Sequence, residues 1–220
     1  MVQMITPTEA MKFFKDNQTI MVGGFLNCGV PNLVIDELIK TSLTGFTLIS
    51  NDTGEENKNR GQLIHVGKVK KALVSHIGTN AETVRLYNEG KIIVDLQPQG
   101  SIAERIRADG AGLGGILTPV GLGTEIEQGK QKIMVDGKPY LLETPLLADV
   151  AVVYATYADK FGNLAFHGST RNFNVLMPMA ADVVIVEAEH ISDEPLSPDD
   201  IVVPGIFTDY LIDGGANGTD

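Results

Sequence analysis

The stretch Val22-Gly23-Gly24-Phe25-Leu26-Asn27-Cys28-Gly29-Val30-Pro31 holds the residue types best suited to chemistry. An apolar run ends in two glycines, and Pro31 fits the first position of a helix. Glycines let a chain turn tightly and let a ligand approach the main chain closely. The free N–H groups of such a loop, with those of the helix behind it, can hold an anion or a developing oxyanion. The competing reading is a plain strand-to-helix turn. Cys28, the single cysteine, is a conceivable nucleophile in that loop. Only the helix N-terminus would lower its pKa, and no His lies close in sequence, so a small packing residue is the better reading.

A second glycine-rich stretch runs from Asp109 to Thr124, and Gly110, Gly112 and Gly115 satisfy G-x-G-x-x-G. That dinucleotide fingerprint must follow a strand and open a helix, whereas here it follows a helical pattern. A close-packed loop at the edge of a site or a subunit seam fits better. No Gly-Lys-Ser/Thr and no G-x-S-x-G occurs, which removes a P-loop and a nucleophile elbow. His65, His76, His167 and His190 are scattered without Glu or Cys at ligand spacing, so no metal site is expected and each reads as a surface or hydrogen-bonded residue. Glu55 and Glu56 stand in a polar segment and read as solvated charges.

The elements that must position these residues alternate. Thr6-Pro7-Thr8-Glu9 has the form of a capping box and predicts a helix to about Lys15. A buried strand follows at Thr19–Val22, then a helix from Pro31 with Leu33, Val34, Leu38 and Ile39 on one face. Further strands are predicted at 46–50, 69–75 and 91–96, with a helix capped by Asn80 and ended by Gly90 and another over 101–108. Such alternation signals βαβ units and a parallel sheet. Lys132 to Leu142 reads as a hairpin because Asp136-Gly137 suits a type I′ turn. Strands at 149–154 and 182–187 resume the α/β pattern, and the tail, residues 213–220, is expected to fray.

At 220 residues, 43% of them hydrophobic and 20% charged, the chain suits one globular domain spanning 1–220. Its net charge of −11, from 17 basic and 28 acidic side chains, speaks against nucleic acid as a partner. It also opposes an anionic coenzyme, unless basic groups, helix N-termini or a partner chain act locally. Residues 110–124 are too short and too broken by Gly and Pro to cross a bilayer, so no membrane association is expected. Met1 to Pro7 shows no basic region before an apolar run; with one cysteine, the expectation is a cytoplasmic protein.

Asp16 to Phe25, with Gly29 and Pro31, resembles the signature of the class I coenzyme A transferases: an acidic or amide residue, an apolar triplet, then Gly-Gly-Phe-x-x-x-Gly-x-Pro. Leu48 to Thr53, Ser75 to Asn80, Pro98 to Gly100 with Ala103 to Arg107, Arg171 to Asn174 and Ala180 to Asp182 are similar to the α subunits of the acetate, butyrate and acetoacetate transferases. The resemblance covers nearly the whole chain and weakens over Gly54 to Gln62, which is more charged than in relatives.

The resemblance implies a three-layer α/β domain with a mainly parallel sheet. It implies exchange of coenzyme A between a short-chain acyl-CoA (acetoacetyl-CoA, butyryl-CoA or acetyl-CoA) and a free carboxylate. The route is ping-pong through a glutamyl-CoA thioester, with the nucleophilic glutamate on a partner β subunit. This chain then has no catalytic nucleophile and is inactive alone, and no cofactor is needed beyond coenzyme A as substrate. Gly23, Gly24, Phe25, Leu26, Asn27, Cys28 and Gly29 are the implied coenzyme or substrate contacts, with Asn51 and Gln99, the latter facing the reacting carboxyl group. The alternatives are a transferase for another oxo-acid or a dicarboxylate, and a non-enzymatic ligand-binding module of the same fold.

Overall fold

The computed structural model describes residues 2–215. At its start the capping box forms as the residues predict: the Glu9 N–H donates to the Thr6 hydroxyl at 3.2 Å and the Thr6 N–H to the Glu9 carboxylate at 2.8 Å. Strand β1 (Gln3–Met4) precedes it, and α1 (Pro7–Ala10) then tightens into a 3-10 turn at Met11–Phe13, short of Lys15. The next elements are β2 (Thr19–Val22), α2 (Asn32–Leu38), β3 (Phe46–Ile49), α3 (Gly61–His65), β4 (Val69–Val74), α4 (Ala81–Asn88), β5 (Ile93–Leu96) and α5 (Gln99–Gly110). There follow β6 (Ile116–Thr118), β7 (Lys132–Val135), β8 (Lys138–Glu143), β9 (Ala148–Asp159), β10 (Leu164–Ala165), β11 (Ala181–Ser192) and β12 (Tyr210–Asp213).

Among the described residues, the main sheet has the order β1-β12-β11-β9-β2-β3-β4-β5, with β10 on β9 as its antiparallel member. The chain walks outward from β2 to β5, then returns to the other side of β2 as β9, β11 and β12. The two runs therefore part between β2 and β9, where Ile20 pairs with Val150 and Val22 with Val152. Alternation along the strands fills two cores. Ile20, Val22, Leu48 and Val74 pack with Val34, Ile35, Leu38, Leu63 and Ile64 of α2 and α3. Met21, Ile49 and Leu73 face the other way, onto Ile102 and Ile106 of α5. Helices on both faces of a mainly parallel sheet make the expected three layers. A small antiparallel sheet, β6-β8-β7, projects after α5.

The capping and turn signals hold. Asn80 accepts the Thr83 N–H at 2.9 Å, Gly90 follows α4 at φ 67°, and Asp136 and Gly137 both take positive φ between β7 and β8. Other expectations are corrected. Strands β9 and β11 are each 12 residues long, because they pair in register from Ala148–Ala181 to Asp159–Ser192 and so carry polar residues inside a strand. Pro31 stands before α2 rather than in it, and α5 begins at Gln99 and ends at Gly110. Along 110–123, Gly110, Gly115 and Gly121 stand against Met179, Glu143 and Ile126, while Gly112, Gly114 and Gly123 have open space around them within this chain. The tail does not begin to fray at residue 213. Asp213 ends β12, the Gly214 N–H donates to the Ala188 carbonyl at 2.8 Å, and residues 216–220 lie outside the described residues.

Glu187, buried in β11, points its carboxylate at the start of α2, where the Leu33 N–H donates to it at 2.8 Å. Burial pushes its pKa from 4.5 up to about 7, against the downward pull of the Leu33, Val34 and Asn32 N–H groups. A raised carboxyl pKa means the folded state holds the proton more tightly than the unfolded one. Stability from this group is thus complete below pH about 4.5 and lost as pH rises through about 7. The Glu187→Gln variant, measured by urea unfolding across that window, should show a flatter loss of stability with pH than the parent chain.

Candidate active site

Parallel strands bring their carboxyl ends to one edge of a sheet, where open α/β sheets place ligands. Here the ends of β2, β3, β4 and β5 are adjacent, and their register continues into the loops. The Ser75 N–H donates to the Asn51 carbonyl at 2.9 Å, the Gln97 N–H to the Val74 carbonyl at 3.0 Å, and Asp52 bridges His76. A cleft of about 380 Å³ lies across these ends. Its walls are Phe25 and Leu26 after β2, Asn51 and Asp52 after β3, Ser75, His76 and Thr79 after β4, and Gln97, Pro98 and Gln99 after β5. The volume lies in the range of small-molecule sites.

The glycine loop is held from below and behind. Phe25 and Cys28 exchange backbone hydrogen bonds at 3.0 and 2.9 Å, closing a two-residue turn with Leu26 and Asn27 at its tip. Leu26 sits there at φ 50°, a left-handed conformation unusual for a bulky side chain. Its N–H donates to Asp52 Oδ2 at 3.0 Å, which fixes the turn. Arg60, fully buried, donates from Nη1 to the Gly23 carbonyl at 3.0 Å, from Nε to the Asp52 carbonyl at 3.0 Å and from Nη2 to Asp52 Oδ1 at 2.5 Å. Burial would raise the Asp52 carboxyl, but Arg60, the Leu26 N–H and the Asn51 amide hold it below its ordinary value. From the other side Asn172 accepts the Gly24 N–H at 3.1 Å, and Asn174 donates to the Gly29 carbonyl at 2.9 Å.

These bonds correct the reading of the loop as a row of free donors. The Gly23 N–H donates to the Val152 carbonyl, and the Gly24, Phe25, Leu26 and Cys28 N–H groups are likewise committed within the chain. The N-terminus of α2 is covered by Glu187. Among the described residues, the loop N–H groups left without a partner are those of Asn27, Gly29 and Val30.

Of the nine residues singled out in the sequence, Phe25, Leu26, Asn51 and Gln99 share the cleft, and Gln99 Nε2 donates to Asn51 Oδ1. Gly23 and Gly24 are buried behind it, and their lack of a side chain is required. A Cβ on Gly23 would stand 1.8 Å from Asn174 Oδ1, and one on Gly24 2.4 Å from Arg60 Nη1. Asn27 turns outward and donates to Glu55 at 2.6 Å, Cys28 Sγ lies 3.5 Å from Ser169 Oγ, and Gly29 packs on Thr170 and Asn174. Glu55 is paired with Lys58 and Asn27 at the surface, as its polar surroundings predict.

Sequence reasoning missed Asp52, Arg60, Ser75, His76, Thr79 and Gln97 as site residues. All but Arg60 and Gln97 stand inside the stretches that carried the resemblance, and Gln97 precedes one directly. Gln97 is steadied by Arg105, whose Nη1 donates to its Oε1 at 2.5 Å while Nε donates to the Thr144 carbonyl. The acid in the cleft wall, Asp52, is neutralised by Arg60, so the wall offers amides, hydroxyls, one imidazole and apolar surface. Among the described residues no group of three or more His, Cys, Asp or Glu is placed to hold a metal ion, and no helix is long and apolar enough to cross a membrane.

A three-layer sheet with such a cleft across its strand ends defines an α/β protein with a candidate ligand site at the carboxyl edge of its sheet. The family described as coenzyme A transferase matches residues 4–214, and the chain belongs to it. The acetoacetyl-CoA:acetate/butyrate CoA transferase alpha subunit of Clostridium acetobutylicum is 49% identical over 201 residues, 91% of this chain and 92% of that one. The acetate CoA-transferase subunit alpha of Escherichia coli K12 is 46% identical over 211 residues, 96% of each chain. A solved acyl-CoA transferase of Escherichia coli O157:H7 has the same fold, with a TM-score of 0.83 at 22% identity over 96% of this chain. This chain spans 46% of that protein's length.

The contacts of the two glycines set an expectation. Gly23→Ala drives a methyl group into Asn174 and should cost about 2–3 kcal/mol of unfolding free energy, the scale of an overpacked core. Gly100→Ala, in α5 with nothing within 4 Å, should be neutral or slightly stabilising. Chemical denaturation of the two variants side by side checks the contrast.

Proposed function

We propose that this chain is the α subunit of a transferase that moves coenzyme A between a short-chain acyl-CoA and a free carboxylate. Acetoacetyl-CoA, butyryl-CoA and acetyl-CoA are the acyl donors in view. The observation that carries the reading is the cleft at the strand ends, lined by the amides of Asn51, Gln97 and Gln99 and with its one carboxylate paired to Arg60, in a chain whose relatives are named alpha subunits of such enzymes. The partner β subunit supplies the glutamate. Its carboxylate attacks the thioester carbonyl and expels coenzyme A as the thiolate, leaving a mixed anhydride; the thiolate then attacks the glutamyl carbonyl, which expels the acid as a carboxylate and leaves a glutamyl-CoA thioester. A second acid then reverses the sequence, so two easier steps replace one hard one.

In this reading the α chain binds and orients. Phe25 and Leu26 offer apolar surface to a short acyl chain, and Gln99 and Asn51 offer the amides that meet the reacting carboxyl group. Gly23, Gly24, Asn27, Cys28 and Gly29 shape the loop that presents Phe25 and Leu26. No prosthetic group or metal takes part, and coenzyme A enters only as substrate. A short monocarboxylate is favoured over a dicarboxylate, because this chain's walls present no lysine and the arginines behind them are spent, Arg60 on Asp52 and Arg105 on Gln97 and Thr144. We place the enzyme in the cytoplasm, where acyl-CoA is made and used.

The test is co-expression with the β-like chain, followed by exchange assays between acetoacetyl-CoA and acetate or butyrate, each chain also run alone. Exchange by the pair only, with borohydride trapping the thioester on the partner, is the expected result. Exchange by this chain alone, or silence from the assembled pair, would overturn the proposal.

A further inference from the structure

We propose that the buried Asp52–Arg60 pair acts through Asn51 as a positioning device, fixing which end of the Gln99 amide is turned to the substrate. This rests on the reading of Gln99 as the amide that meets the reacting carboxyl group. The reasoning is an account of donors and acceptors. An ionised carboxylate only accepts hydrogen bonds, whereas a carboxamide has a donating and an accepting end that the fold must assign. Asp52 is ionised because Arg60 Nη2 lies 2.5 Å from its Oδ1, with both side chains out of water.

Asp52 Oδ1 also accepts the Gly54 N–H at 2.7 Å, and Oδ2 accepts the Leu26 N–H at 3.0 Å and Asn51 Nδ2 at 2.8 Å. Facing an acceptor, Asn51 has to present its NH2 group to Asp52. Its Oδ1 is thereby turned the other way, onto Gln99, and Gln99 must answer with Nε2. What remains of Gln99 at the cleft is its Oε1 and its second N–H. Reversing either amide would bring two acceptors or two donors together inside the protein, which costs the desolvation of both. The order Arg60, Asp52, Asn51, Gln99 thus carries a direction from the buried charge to the cleft. Asp52 and Arg60 are positioning residues in this scheme, since their hydrogen bonds all go to other groups of this chain.

The Gln99→Glu variant tests this in the assembled enzyme. A carboxyl group at position 99 satisfies Asn51 Oδ1 only while it keeps its proton; ionised, it sets acceptor against acceptor. The charged or titratable groups around it are Asp52 and Arg60 after β3, His76 after β4, and Asp95 and Arg105 through Gln97. Titration of those groups is common to parent and variant and cancels in the ratio of their exchange rates. The ratio should be highest at low pH and fall by about tenfold per pH unit above an apparent pKa well above the ordinary glutamate value of about 4.3.

In the double variant Asn51→Ala/Gln99→Glu that pKa should return toward the ordinary value. A 13C NMR titration of the introduced carboxyl, with glutamate labelled in this chain only, reads the same pKa without relying on activity. A ratio that stays flat from about pH 5 to 8 with an ordinary carboxyl titration, or equal pKa values in single and double variants, would overturn the proposal. An inactive parent pair would instead remove the functional reading, and the NMR titration would still decide the hydrogen-bond direction.

Discussion

The ion pair between Asp52 and Arg60 is the contact on which the rest of the site depends. Taking two charges out of water costs several kcal/mol each, and Coulomb attraction recovers this only when the other donors and acceptors are also satisfied. Here they are. Arg60 spends its bonds on Asp52 and the Gly23 carbonyl, and Asp52 accepts from Leu26, Asn51, Gly54 and Arg60. The pair therefore ties together three pieces of chain: the glycine turn after β2, the end of β3, and the segment leading into α3. An apolar substitute of the same volume could fill the space but could not hold the Leu26 N–H, and Leu26 is the bulky residue that this turn holds in the left-handed conformation. The desolvation cost is offset by geometry at the one place where the backbone needs it.

The sheet supplies the frame for that pair. Because β2 to β5 are parallel, their last residues emerge side by side, and each loop begins with its neighbour's register still in force. The far half of the chain closes the arrangement from behind: Asn172 and Asn174, held beside β9, reach the glycine loop across about two-thirds of the sequence. Asn174 also accepts the Tyr154 N–H at 3.1 Å, so the same side chain joins β9 to the loop. Gly23 is pressed between this asparagine and the backbone of Val153, and Gly24 against Arg60 and Val30, which is why neither glycine has room for a side chain.

What could be read in the sequence divides along distance. The Thr6–Glu9 box, the Asn80 cap, Gly90 and the Asp136-Gly137 turn act within a few residues, and each does what its residue types predict. Strand β2 is found where its apolar run lies, because a strand buried on both faces needs no partner's help to be recognised. The resemblance placed Asn51 and Gln99 in the site, and the structure puts them in contact 48 positions apart. Arg60 was hidden because its segment is polar, and a charge in a polar segment looks solvated unless its buried acid is known. Glu187 was hidden for the same reason at longer range: it covers the start of α2 from 154 positions away. Long-range pairing of this kind leaves no local periodicity, so the donors of the glycine loop looked free when they were already taken.

That misreading bears on how an acidic chain can admit anionic substrates. A net charge of −11 raises a barrier to carboxylates and acyl-CoA, but exposed charges farther than about 8 Å are largely screened at physiological salt. What counts is the charge at the cleft, and there the fold is selective. Glu187 covers the start of α2 by accepting the Leu33 N–H, whereas α5 begins at Gln99 with no acid in its first turn. Asp52 is neutralised by Arg60. The carboxyl group of the proposed reaction thus meets neutral amides and the positive end of a twelve-residue helix rather than a fixed cation. For the proposed exchange, which releases one carboxylate and takes up another in each turnover, a weak neutral hold is the appropriate one: a buried arginine clamp would bind the product acid as firmly as the incoming one, and tight equal binding of both adds nothing to the rate.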